Sequence, residues 1–219
     1  MNNFSQDVYF QQGISSAEIV KILKFHQSNI CVLDPKEEHP AKTEWINTNS
    51  KTILKSDTHI HEVFLSEIVA PIVYIYTALK EEFYGFPVVT TLPVLTITTD
   101  DYCNLTQGSY TFDFEKMCLH KYKDNVHDDL KDIFYNKNVS MSLSLFLDIE
   151  KSVFIHGNMA YINGIMQVGM LTKAINDCCK ENSIPMTQAF INTQKFTNLI
   201  GINLRKQLLI NNICFGGEL

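Results

Sequence analysis

Two side chains in the stretch FIHGNMAYINGIMQVG, residues 154–169, can move or share a proton. His156 has an ordinary pKa near 6.5, which suits a general base at neutral pH. Tyr161, five residues on, carries a phenol that donates or accepts a hydrogen bond. The stretch begins apolar, with Val153, Phe154 and Ile155, and passes into an amphipathic run. A turn from strand to helix is a common seat for a catalytic group, and the spacing predicts such a turn here. The plainer alternative for His156 is a hydrogen-bonded histidine at a strand end. Lys173 can reach an anion near the helix start, or serve as a solvated or interface lysine. His59 and His61, beside Glu62, share one face of an extended segment. No third ligand follows at metal spacing, so this motif predicts no metal site.

The six cysteines are Cys31, Cys103, Cys118, Cys178, Cys179 and Cys214. None forms a C-x-x-C pair, and reduced, buried thiols are the expectation. The 219 residues are 45% hydrophobic and 19% charged, which fits one globular domain, or one domain with a small N-terminal appendage. The net charge of −6 and the absence of a basic run argue against a nucleic-acid surface. The start, MNNFSQDVYFQQG, has neither the cationic nor the apolar region of a signal peptide. VFLSEIVAPIVYIYTAL, 63–79, contains Glu67 and Pro71 and falls short of the roughly 20 apolar residues of a bilayer span. The expectation is a cytoplasmic protein.

These side chains need elements to position them. Ile19, Ile22 and Leu23 predict a short helix over 15–26, and polar, turn-rich residues 34–58 follow it. The predicted division is an appendage over 1–45, available for a partner or peptide contact, and a main domain over 46–219. A core helix is predicted over 62–82, kinked or started near Pro71. Residues 93–99 and 109–114 alternate as strands, and EKMCLHKYK makes a hairpin return. A helix is predicted over 124–134 and a strand over 140–156. Tyr161, Ile165, Val168, Ile175 and Cys179, widened by Met166 and Met170, predict a long helix over 161–180. PMTQAFIN predicts a strand, and 193–202 a short helix closed by Gly201. Residues 205–217 predict a last strand. The order predicts an α+β fold, with a mixed or antiparallel central sheet and a long buried central helix.

Four stretches together resemble the FMN-dependent nitroreductase superfamily, and within it the SagB-type dehydrogenases that oxidise azolines to thiazoles and oxazoles in ribosomal peptide toxins. They are FPVVTTLP (86–93), GSYTFDFEKMCLHKY (108–122), the stretch quoted above, and INTQKFTNLIGI with LLINNICFGG (191–202 and 208–217). The resemblance implies an intertwined dimer with FMN at the subunit interface, touched by both chains. It places Thr90 and Thr91 in the flavin loop, where the family's glycine pair is Val89 and Thr90 here. It puts Ile155 and His156 at the positions of the family's catalytic Lys-Tyr pair, and Tyr161 at a second tyrosine. The turn arginines of the family are Met159 and Ile162, and its flavin-contacting Gln-Asn pair is Lys173 and Ala174. Arg205 is the chain's one arginine, whereas a bidentate phosphate clamp favours arginine. Lys51, Lys55 or Lys173 can substitute as point charges.

Two functional expectations follow from the resemblance. The first is a degenerate subunit of a thiazole/oxazole peptide-modifying complex that complements a flavin-bearing partner or docks a precursor peptide, with FMN absent or held at the interface. The second is an active FMN-dependent azoline dehydrogenase. In that case His156 and Tyr161 would be catalytic, and Thr90, Thr91, Lys173 and Arg205 would hold the cofactor.

Overall fold

The computed structural model describes residues 61–216, apart from 87, 100–101, 125–132, 135–138, 189–190, 192 and 204–205. The helix predicted over 15–26, the division at residue 45, most of the helix predicted over 124–134, and Arg205 lie outside the described residues.

Seven strands form one sheet: β1 (His61–Phe64), β2 (Thr91–Ile97), β3 (Gly108–Asp113), β4 (Cys118–Lys123), β5 (Met141–Asp148), β6 (Met186–Gln188) and β7 (Gln207–Phe215). Their order is β1-β4-β3-β2-β5-β7-β6, and every paired neighbour is antiparallel. Four helices accompany it: α1 (Ile72–Gly85), α2 (Ile149–His156), α3 (Ala160–Glu181) and α4 (Thr193–Ile200). This is the α+β architecture expected from the element order.

The central strands β2 and β5 are buried on both faces, so their residues alternate between two cores. Leu95, Ile97, Leu143 and Leu145 join Ile72, Ile75 and Leu79 of α1 and Val168, Leu171 and Ile175 of α3. Leu92, Val94 and Phe146 join Phe196 and Ile200 of α4 in the second core. Tyr76 of α1 packs with a tilted ring against Phe112 and Phe114, and its hydroxyl donates to the Asp113 carbonyl at 2.6 Å. Tyr76 and Phe83 are thus core residues, whereas Tyr74 and Tyr84 are exposed.

Two predicted elements are different in the structure. The helix expected over 62–82 begins only at Ile72, after Pro71. Residues 61–64 instead form the edge strand β1, antiparallel to β4, with Val63 opposite Leu119. Proline suits the first turn of a helix, because the amide hydrogen it lacks has no partner there. The strand expected over 140–156 stops at Asp148. The Asp148 side chain accepts the Lys151 N–H at 2.9 Å and Glu150 stands in the first turn, so α2 starts there. Val153, Phe154, Ile155 and His156 are therefore helical.

The remaining described elements follow the pattern read from the residues, except that the strand expected from PMTQAFIN is seen only as β6, Met186–Gln188. α4 ends at Gly201, whose φ of 76° lies in the left-handed region that glycine favours. The described cysteines Cys103, Cys118, Cys178, Cys179 and Cys214 are free thiols. No described helix is long and apolar enough to cross a membrane.

Candidate functional site

The turn that carries His156 and Tyr161 joins two helices. His156 ends α2, a single 3-10 turn follows (Gly157–Met159), and Tyr161 is the second residue of α3. Gly157 takes φ 54°, which a side chain would disfavour. The Ser152 hydroxyl donates to the Ala160 carbonyl at 2.8 Å, which fixes α2 against the start of α3. Both candidate groups are half-buried. Ile155, at the position of a proton acceptor in the resembled family, is buried at 7% exposure and has no proton to exchange.

Thr90 and Thr91 are buried where the chain enters β2. Gln167 of α3 engages them both. Its Oε1 accepts the Thr90 backbone N–H at 3.0 Å, the Thr90 hydroxyl at 3.0 Å and the Thr91 hydroxyl at 3.3 Å. Its Nε2 donates to the Val88 carbonyl at 2.7 Å. The Thr90 carbonyl in turn accepts the Asp148 N–H at 2.9 Å. The loop expected to approach a flavin is therefore tied to the long helix through its own polar atoms. Nothing in the apolar pattern singles out Gln167. The signal for it is a polar residue in the stripe that runs through Gly164, Val168 and Leu171, all of them buried.

Lys173 is exposed on α3 and forms an i,i+4 ion pair with Asp177, which raises the lysine pKa and lowers that of the carboxylate. Twelve residues separate it from Tyr161, about 18 Å along a helix axis. The two do not converge on one small group within a single chain. α3 packs tightly at Gly164, where an added Cβ would come within 2.4 Å of a Leu147 methyl.

The buried face of α3 is narrower than the apolar pattern suggests. Val168, Ile175 and Cys179 are buried as expected, but Ile165, Met166 and Met170 point outward, with Met166 at 60% exposure. Val153 and Phe154 of α2 are also exposed. All five are exposed apolar side chains on two helices that pack against each other.

The FMN implied by the sequence resemblance can be tested against these positions. A flavin phosphate needs fixed cations or a backbone nest. Here the loop amide of Thr90 and the two hydroxyls bond Gln167, and Lys173 is paired and exposed. Among the described residues these positions do not fit FMN held by this chain alone.

No protein-family model matches the sequence, and no curated protein matches it. Solved structures do. A protein named as a nitroreductase from Anabaena variabilis aligns over 88% of this chain at 12% identity and TM-score 0.60, and this chain spans only 45% of its length. A chain of the E. coli microcin synthetase McbBCD complex, with truncated pro-MccB17 bound, aligns over 100% of both chains at 13% identity and TM-score 0.59. A second protein named as a nitroreductase, from Ralstonia eutropha, aligns over 76% of this chain and 89% of its own at 9% identity and TM-score 0.51. At such identities the likeness is one of fold, and this chain carries a nitroreductase-like fold.

Proposed function

We propose that the chain is a degenerate nitroreductase-fold subunit of a ribosomal-peptide-modifying complex of the thiazole/oxazole type. It complements a flavin-bearing partner of the same fold rather than running the redox step alone. The observation that carries this reading is the closure of the flavin loop by Gln167, which engages the groups a cofactor would need. Ile155 in place of a proton acceptor points the same way. The apolar face of Val153, Phe154, Ile165, Met166 and Met170 is where the partner seats, because side chains of that kind gain by leaving water. The end-to-end alignment with a chain of a microcin synthetase complex supports the setting. The second reading, an active FMN-dependent azoline dehydrogenase, keeps His156 as base beside Tyr161. It requires this chain's own side chains to hold the flavin.

The test is a flavin spectrum. The full chain is purified alone and after co-expression with a flavin-binding protein of the same fold. The expected result is a colourless single chain and a yellow complex that releases FMN on denaturation. A yellow single chain with stoichiometric FMN, bleached by substrate peptide, would establish the second reading instead.

A further inference from the structure

The sheet edge formed by β1, β4 and β3 gathers four groups with ligand chemistry, away from the turn described above. The register sets Glu62 of β1 opposite His120 of β4, and Asp113 of β3 opposite Cys118 of β4. Cys118 and His120 are two residues apart on one strand, so their side chains share a face, and their cross-strand partners share it too. His120 Nε2 lies 3.1 Å from Asp113 Oδ2 and 3.7 Å from Cys118 Sγ. The three ligand atoms all fall within 4.8 Å of one another.

We propose that Asp113, Cys118 and His120 bind one zinc ion, with Glu62 orienting the imidazole. A tetrahedral zinc holds nitrogen and oxygen at about 2.0–2.2 Å and sulfur at about 2.3 Å. Those bonds put nitrogen and sulfur about 3.6 Å apart, and nitrogen and oxygen about 3.3 Å apart. The observed separations already match both edges to within a few tenths of an ångström. Thiolate with imidazole selects zinc over magnesium or calcium, which prefer oxygen ligands throughout.

The surroundings are those of a ligand set. Asp113 Oδ1 accepts the N–H groups of Glu115 at 3.0 Å and Lys116 at 2.9 Å, so the hairpin turn fixes the carboxylate and leaves Oδ2 toward His120. His120 Nδ1 is buried with no hydrogen bond, and Glu62 Oε1 lies 3.7 Å from it. Lys116 Nζ holds that same oxygen at 2.8 Å. A carboxylate behind the second ring nitrogen is the usual way a protein orients a metal-bound histidine. Water completes the fourth position. The D-x4-C-x-H spacing is not a common zinc signature. It works here because the β3–β4 hairpin folds its ends together, so the site belongs to the register rather than to the local sequence.

Cobalt(II) is the probe. The full chain is stripped with chelator, titrated with cobalt and then with zinc. The expected result is a thiolate-to-cobalt charge-transfer band that saturates stoichiometrically and is bleached by zinc. Cys118→Ser should abolish the band, Cys179→Ser should leave it, and Glu62→Gln should weaken affinity about 10–100-fold. A wild-type chain without the band, or a band that persists in Cys118→Ser, would overturn the assignment. Circular dichroism checks that each variant is folded. Should Cys118→Ser unfold, the partly exposed His120→Ala decides instead, with unchanged cobalt affinity overturning the site. The result stands apart from the flavin question, since no group of this cluster belongs to the α2–α3 turn.

Discussion

Gln167 and Thr90 are joined twice: the amide oxygen of the helix residue takes both the backbone N–H and the hydroxyl of the strand residue, each at 3.0 Å. A buried amide with this many partners fixes the loop before β2 against α3. Gln167→Leu would leave the Thr90 N–H and the Val88 carbonyl buried without their partner. Each such group costs about 1–3 kcal/mol, so a loss of about 2–6 kcal/mol is expected in urea unfolding. Thr90→Val removes only a hydroxyl and should cost about 1 kcal/mol. A Gln167→Leu midpoint equal to wild type would show that the clamp contributes nothing.

Gly164 faces Leu147 with no room for a methyl group, the built Cβ standing 2.4 and 2.6 Å from its two methyl carbons. Alanine is favoured over glycine in a helix by about 1 kcal/mol, yet overpacking a buried contact costs about 1–3 kcal/mol. Gly164→Ala should therefore destabilise. Leu147→Ala alone should cost about 2–5 kcal/mol by opening a cavity. The double variant should be more stable than the sum of the two, by at least about 1 kcal/mol. Strict additivity would mean that α3 shifts to accept the methyl group.

The outward face of α2 and α3 is testable without disturbing the core. Met166→Glu with Met170→Glu alters two residues at 60% and 50% exposure. Stability of the lone chain should stay within about 0.5 kcal/mol per substitution. Co-purification with the flavin-bearing partner should be lost, because each carboxylate would be buried unpaired at the interface. A complex that assembles undiminished would move the interface elsewhere.

Burial pushes the Cys179 and Cys214 thiols up to about 11; the neighbouring Cys178 adds to it at the first, and a hydrogen bond with Asn212 opposes it at the second. The folded state thus keeps a proton that the unfolded chain releases near pH 8.5. That contribution to stability is complete below the unfolded pKa and is lost as pH rises toward 11. The urea midpoint should fall over this alkaline window, and Cys214→Ala should flatten the fall. At neutral pH both thiols should resist a thiol reagent until the chain unfolds. Rapid labelling in the folded state would contradict the burial.

Much of the scaffold was legible in single residues. The β3–β4 hairpin followed from strict alternation on either side of a polar turn, α3 from its recurrent apolar spacing, and the end of α4 from Gly201. Two elements were not. Residues 149–156 have an apolar content that suits a strand or a helix, and the Asp148 cap decides between them. Residues 61–64 continue the helical pattern of the segment after them, and the partner that makes them a strand lies on β4, more than fifty positions away.

The sequence by itself determined the α+β layout and the scarcity of arginine, since patterning and composition are properties of the chain read in order; of the thiols expected to be buried, Cys118, Cys179 and Cys214 are, whereas Cys103 and Cys178 are half-buried. Only the tertiary structure decided that Gln167 meets Thr90, that Met166 and Met170 turn outward, and that Asp113, Cys118 and His120 meet at one sheet edge. The reason is that hydrogen bonds and ligand sets act over about three ångströms. Groups seventy-seven residues apart, such as Gln167 and Thr90, reach that distance only when helix packing and strand register bring them there.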